Sequence, residues 1–162
     1  VRIGIISDTH IPSRAPQLPA FVSRAFAGVE LILHAGDIND YSVLRALSAI
    51  APTEAVAGNT DPPGMVEALG TELLLDLAGF RIGLTHGHLG RGQTSLDRAF
   101  NTFRGKADVV VFGHSHQPLK AVKQGVLLIN PGSPTDKRRQ PLFSLAVLTL
   151  TKRAVGEILY FE

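Results

Sequence analysis

Short apolar runs rich in Val, Ile and Leu punctuate the chain at residues 3–7, 31–34, 55–57, 82–85, 109–112 and 127–129, and each ends at or just before Gly, Asp, His or Asn. Runs this short and this uniformly apolar read as buried strands that stop in polar loops. Helical patterns lie between them. Leu18, Phe21, Val22, Ala25 and Phe26 recur at i, i+3, i+4 spacing and predict one apolar stripe, with Pro19 tolerated near the helix start. Asp40, a good N-cap, predicts a second helix that buries Tyr41, Leu44, Leu47 and Ile50 and stops before Pro52. A third covers 94–104 with Leu96, Ala99, Phe100 and Phe103 inward.

The last third changes character. Runs 119–123 and 126–129 are joined by Gln124-Gly125, and runs 142–150 and 154–161 by a short Thr/Lys/Arg turn, so hairpins replace crossovers. The expectation is an α/β chain with parallel strands in its first half, antiparallel strands in its second and helices outside. No repeat or linker divides it, so residues 1–162 read as one domain.

Composition removes several function classes. Apolar residues make up 44% of the 162 and charged residues 19%, enough for a core and too little charge for disorder. Cysteine is absent, which excludes disulfides, iron–sulfur clusters, thiolate zinc sites and cysteine nucleophiles. Any metal must therefore sit on nitrogen and oxygen. The apolar runs fall far short of the ~18 residues of a membrane span, and Asp8 arrives too early for a signal peptide, so a cytoplasmic location is expected. A formal charge of +2 hints at anionic ligands but makes no case for nucleic acid as a partner. A homo-oligomer through the leucines of 62–77 stays open.

The polar residues cluster by position. All six histidines, His10, His34, His86, His88, His114 and His116, fall at or just after a predicted strand end. In open α/β sheets that edge is where ligands bind, so the segments S-D-T-H (7–10), H-A-G-D-I-N-D (34–40), G-N-T-D (58–61), T-H-G-H (85–88) and G-H-S-H (113–116) read as one site. In an extended segment i and i+2 point the same way, so Asp8 with His10, and His114 with His116, are each expected to present two ligand atoms to one cavity. Carboxylate, imidazole and amide ligands without sulfur suit Mn, Fe, Zn, Co or Ni in a hydrolytic centre and do not choose among them.

The ordered series D-x-H, G-D-x-x-D, G-N-x-D, G-H and G-H-x-H resembles the calcineurin-like metallophosphoesterase superfamily over residues 1 to about 135. The short length, the early G-N-T-D and N-P-G-S at 130–133 resemble its small single-domain phosphodiesterase branch. The resemblance implies a four-layer αββα fold, two mixed sheets packed as a sandwich and flanked by helices. It also implies that Asp8, His10, Asp37 and His116 hold one metal and Asp37, Asn59, His86 and His114 a second, with Asp37 as the bridge. Two divalent ions are then the cofactors, manganese first, with Ni, Fe, Zn, Co and Mg also compatible. The implied reaction is hydrolysis of a small phosphate ester, foremost a phosphodiester, by in-line attack of a metal-bridging hydroxide on phosphorus.

One position departs from the family. Many relatives read G-N-H in the third motif, with a histidine assigned to the transition state or the leaving group; here the residue is Thr60. Activated aryl esters should then react more readily than alkyl ones, and His88 is the candidate donor to phosphate from the opposite side. Asp61 reads as a turn residue orienting Asn59 rather than a substrate contact, Asp40 as a helix cap, and His34 as either a core histidine or a support behind a ligand. Arg14 and Lys137-Arg138-Arg139 are candidate anion clamps, set against the plainer reading of a solvated basic loop. The same site as a phosphomonoesterase is one alternative. Another is a non-catalytic metal-binding scaffold for protein contacts, as in one trafficking branch of the superfamily; a nuclease would rest on the basic balance alone.

Overall fold

The computed structural model describes residues 1–162, with ten strands and four helices. Strands β1 (Arg2–Ile6), β2 (Leu31–His34) and β3 (Thr53–Ala55) are parallel, and β9 (Phe143–Leu150) and β10 (Ala154–Phe161) extend that sheet in the order β10-β9-β1-β2-β3. The second sheet runs β4-β5-β6-β8-β7, from β4 (Glu72–Leu77), β5 (Phe80–Thr85), β6 (Val109–Val111), β7 (Leu119–Lys123) and β8 (Val126–Asn130). Here β5, β6 and β8 are parallel, and β4 and β7 are antiparallel edges.

The predicted split of parallel first half and antiparallel second half therefore does not hold; each sheet is mixed. Short hairpin turns give antiparallel partners at 78–79 and 124–125 alike, while the longer connection from β6 to β8 returns the chain parallel.

The layers follow from which face of each strand is apolar. Ile3 and Ile5 of β1, Ile82 and Leu84 of β5, Val109 and Val111 of β6, and Ala146 and Leu148 of β9 form one fully buried cluster between the sheets. On the outer face of the first sheet, Ile6 and Ile32 meet Val22 and Phe26 beside α1 (Ala20–Ala25), and Val43 and Leu47 of α2 (Tyr41–Ser48). On the outer face of the second, Val110, Phe112 and Leu128 meet Ala99, Phe100 and Phe103 at α4 (Ser95–Thr102). Helix, sheet, sheet, helix is thus the order of packing. Gly4 and Gly83 sit mid-strand under aromatic rings: a Cβ at Gly4 would lie 2.8 Å from Phe26 Cδ1, and one at Gly83 2.6 Å from Phe103 Cγ.

Helix α2 starts where expected, with Asp40 accepting from the Ser42 N–H at 2.8 Å, a cap worth about 1 kcal/mol. Its buried side is Val43 and Leu47, whereas Tyr41 is 44% exposed. At the first helical position the ring falls on the solvent side of the stripe. Strand β3 ends at Ala55, earlier than predicted, and Val56 and Ala57 continue buried into the loop. Helix α3 (Pro63–Leu69) and strand β4 carry no expectation from the sequence reading. Along β4 the residues alternate, so that Leu73, Leu75 and Leu77 pack on the inter-sheet cluster and Leu74 is exposed. Most leucines of 62–77 are therefore half-buried against the core clusters, and Leu74 is exposed. No helix is long and apolar enough to cross a membrane.

Candidate metal centre

Strands β1, β2, β3, β5 and β6 release their chains at one edge of the sandwich, and the candidate ligands lie in the loops that follow. The chain does not remain extended there. Asp8, His10, Asp37, His114 and His116 all have positive φ, between 44° and 75°, so the i, i+2 pairs are presented by left-handed turns. Such backbone costs on the order of 1 kcal/mol per residue and persists where the surroundings over-determine it. The two members of the G-H-S-H pair also part company, His116 facing Asp8 and His10, and His114 facing His86 and Asn59.

All seven candidate ligands converge. In one half, His116 Nε2 is 3.3 Å from His10 Nε2 and 3.4 Å from Asp8 Oδ1. In the other, His86 Nε2 is 3.1 Å from both Asp37 Oδ2 and Asn59 Oδ1, and His114 Nδ1 is 3.2 Å from Asn59 Oδ1 and 3.3 Å from His86 Nε2. The carboxylates occupy the seam. Asp37 Oδ2 lies 3.5 Å from His10 Nε2, and Asp8 Oδ1 lies 3.8 Å from His86 Nε2, so each reaches both halves.

Proton accounting shows what the cluster lacks. His86 Nδ1 donates to the Ala35 carbonyl at 2.8 Å and His116 Nδ1 donates to the Asp136 carbonyl, which leaves each Nε2 of a neutral ring as a lone pair. Those lone pairs face carboxylate, amide and imidazole acceptors. Asp8 Oδ2 is satisfied by Ser7 Oγ–H and the His114 N–H, whereas buried Asp8 Oδ1 has no hydrogen-bond partner. A cation between them would offset the repulsion of acceptors at such distances. A metal ~2.0–2.2 Å from its ligands sets them ~3–3.5 Å apart, the spacing found here. The donor set fits divalent metal, and Asp8, His10 and His116, like Asp8, Asp37 and His86, each offer atoms within 4.8 Å of one another.

Titration behaviour agrees. Burial raises the Asp8 carboxyl above its ordinary range, a state that a nearby cation would reverse. Burial acts on Asp37 in the same sense, but hydrogen bonds from His86 and from Thr60 outweigh it and hold the carboxyl well below the usual range. For His86, burial opposes the charged ring, yet the hydrogen bond to Asp37 and the charges of Asp8 and Asp37 raise its pKa. His114 is lowered to about 4 by burial and by His86, which keeps it neutral and ligand-competent.

A frame of hydrogen bonds holds the donors. The Asp61 carboxylate accepts from the N–H groups of Asp37, Ile38, Asn39 and Gly58 at 2.8–2.9 Å, so it ties the 36–39 loop to the 58–61 loop and does more than close its own turn. Gly58 is required by this closure, since a Cβ there would collide with the Asp37 carboxylate and lie 2.6 Å from its backbone nitrogen. Thr60 donates its N–H to Asp37 Oδ1 at 2.9 Å. His34 is a fully buried support: Nδ1 accepts from the Gly36 N–H at 3.1 Å, and Nε2 meets Thr9 Oγ1 at 3.0 Å, behind the Asp37 loop.

Ser133 Oγ donates to the Asp8 carbonyl at 2.8 Å and accepts from the Asp136 N–H at 2.8 Å, which gives the N-P-G-S loop its role. Asp136 and Arg98 were not singled out by the sequence. Asp136 orients His116 by its carbonyl, and Arg98 Nε donates to the Gly87 carbonyl at 2.7 Å, bracing the T-H-G-H loop. No pattern marks either residue. Arg14 Nε stands 3.4 Å from Asp136 Oδ2, so its charge is spent on that carboxylate. His88 lies at the rim, its ring centroid 5.3 Å from that of His86 and 6.4 Å from that of His114; its buried Nδ1 has no partner, and burial lowers its pKa. A cavity of about 550 Å³ adjoins His114, lined by Leu96, Phe112 and Leu119 together with Thr94, Arg98 and Gln117.

Two five-stranded mixed sheets flanked by helices, with Asp, Asn and His donors gathered at one edge, define a metal-binding α/β sandwich. Residues 1–153 match the calcineurin-like phosphoesterase superfamily domain, and the chain belongs to that family. It is 45% identical to a probable metallophosphoesterase of Methanothermobacter thermautotrophicus, over 84% of this chain and 78% of that protein. It is 29% identical to the phosphodiesterase MJ0936 of Methanocaldococcus jannaschii, over 82% of this chain and 83% of the relative. Its fold is similar to that of Vps29 from Chaetomium thermophilum, with a TM-score of 0.81 and 19% identity over 99% of this chain and 96% of that one.

Proposed function

We propose that the protein hydrolyses phosphate esters at a dinuclear centre of divalent ions, manganese foremost, and that phosphodiesters are its preferred substrates. The observation that carries this reading is the convergence of ligand atoms: His86 Nε2 lies 3.1 Å from both Asp37 Oδ2 and Asn59 Oδ1, beside an unpartnered Asp8 Oδ1. Asp8, His10, Asp37 and His116 would hold one ion and Asp37, Asn59, His86 and His114 the other. When bound, the ions supply Lewis acidity, lowering the pKa of water and stabilising negative charge on the phosphoryl group.

The side chains do the rest. His86 and His116 are locked by their Nδ1–H bonds so that Nε2 faces inward, and Asp61 fixes Asp37 from behind. His88, neutral at its lowered pKa, is placed to offer a ring N–H to a phosphate oxygen from the rim. Thr60 has no acidic proton to give a leaving alkoxide, so esters whose leaving group departs as a stable anion react faster. A diester is favoured because the cavity beside His114 gives a second substituent on phosphorus a place to lie.

The test is hydrolysis of bis-p-nitrophenyl phosphate and p-nitrophenyl phosphate by metal-stripped protein resupplied with Mn²⁺. The proposal expects metal-dependent turnover of both, faster for the diester. Tight metal binding without turnover of either would favour the second reading, a metal-holding interaction scaffold, which the likeness in fold to Vps29 supports.

A further inference from the structure

Beside the His114 cavity, with which it shares Ser115 and Gln117, a pocket of about 280 Å³ opens between residues 115–117 and 137–140, lined by Ser115, Gln117, Lys137, Arg138, Arg139 and Gln140 and by no hydrophobic residue. Both of its walls are continuous with the metal centre. Ser115 lies between His114 and His116 in the chain, and Asp136, which precedes Lys137, accepts from His116 Nδ1. The turn is closed by the Gln140 N–H donating to the Lys137 carbonyl at 3.0 Å.

The charge of this wall is uncompensated. The ion pairs made by arginine and lysine are Arg14–Asp136, Arg81–Asp108 and Lys123–Asp97, so Asp136, next to Lys137 in the chain, is already paired with Arg14. Arg138 and Arg139 are exposed and have no acidic partner. Lys137 Nζ is tethered by the Pro141 carbonyl at 3.3 Å and the Phe143 ring, contacts that leave its charge intact. Three adjacent cations repel one another, and an anion between them relieves that repulsion. Guanidinium forks match phosphate oxygens geometrically, and the amides of Gln117 and Gln140 add neutral donors.

We infer that this pocket is a subsite for a second phosphoryl group, so that the substrate is a phosphodiester carrying a non-scissile phosphate; this rests on the hydrolytic reading above. The larger cavity at His114, with its apolar residues, then takes the organic part of the ester. In the reaction a water oxygen forms a new bond to the scissile phosphorus, the bond from phosphorus to the leaving oxygen breaks, and that oxygen takes up the proton given by water. The second phosphate stays bonded to the product.

The experiment compares kcat/KM of the Mn²⁺-loaded protein for thymidine 5′-(p-nitrophenyl phosphate) with that for the same ester phosphorylated at O3′. The expected ratio is about tenfold or more in favour of the 3′-phosphorylated ester, the value of one charge-assisted contact. It falls to near one in Arg138→Ala/Arg139→Ala and persists in Lys152→Ala/Arg153→Ala, which removes equal charge elsewhere. A ratio near one in the unaltered protein, or one that survives the first double substitution, would overturn the inference. If neither ester is hydrolysed, the hydrolytic reading fails by itself. Calorimetric binding then decides: thymidine 3′,5′-bisphosphate bound more tightly than the 5′-monophosphate, with the gain lost in Arg138→Ala/Arg139→Ala, supports the subsite, and equal affinities refute it.

Discussion

Asp61 grips Asp37 by its backbone: Oδ2 of Asp61 accepts the Asp37 N–H at 2.9 Å and the Gly58 N–H at 2.8 Å, so one buried carboxylate sets the spacing of two ligand loops. Asp61→Asn replaces one acceptor oxygen with a donor facing backbone N–H groups. The expected loss is about 2–3 kcal/mol of stability, with Mn²⁺ affinity down about 10–100-fold, read by chemical denaturation with chelator present and by metal titration. Full metal affinity in the variant would show that the loops keep their spacing without this clasp.

The hydrogen bond to Asp37 and the charges of Asp8 and Asp37 raise the His86 pKa against the effect of burial, so in metal-free protein a proton competes for Nε2 between Asp37 and Asn59. Metal must displace it. Binding of Mn²⁺ near neutral pH is therefore expected to release protons and to weaken as pH falls. Calorimetry in buffers of different ionisation enthalpy measures the release, and an apparent enthalpy independent of buffer would contradict it.

His34 predicts an acid limb of stability. Its folded pKa is about 3 against an ordinary 6.5, because burial disfavours the charged ring. Between those values the unfolded chain binds the extra proton, so the contribution of a neutral His34 is complete above pH 6.5 and declines as pH falls toward 3, by at most ~1.4 kcal/mol per unit. His34→Asn keeps an acceptor for the Gly36 N–H without titrating. Its stability in chelator should fall less steeply from pH 6.5 to 4.5 than that of the unaltered protein, and parallel curves would count against the assignment.

His88 stands at the rim with an unpartnered Nδ1. As a donor to phosphate, its replacement by alanine should lower kcat on bis-p-nitrophenyl phosphate by about 10²-fold and change the pH profile, with little effect on metal affinity. An unchanged rate and profile would remove His88 from the chemistry.

The legible part of this protein is the part that buried strands enforce. A strand covered on both faces shows its end in the polar residues that follow within a few positions, which is why Asp8, Asp37, His86 and His114 stand out without a structure. The extended i, i+2 arrangement expected for Asp8 with His10 and for His114 with His116 does not hold, since the turns at these residues are left-handed. Strand β4 is not legible in E-L-L-L-D-L because Leu74 masks the alternation of the residues around it. Asp61, Asp136 and Arg98 act through contacts between loops distant in sequence, and such register is a property of the folded sandwich, written in no local pattern.

If seven side chains hold two cations, electron paramagnetic resonance during Mn²⁺ titration of the stripped protein reports both their number and their closeness. Two ions per chain with an exchange-coupled signal are expected, and in Asp37→Ala the loss of coupling and of at least one ion. One isolated ion per chain, or an Asp37→Ala variant that still shows a coupled pair, would contradict the dinuclear centre.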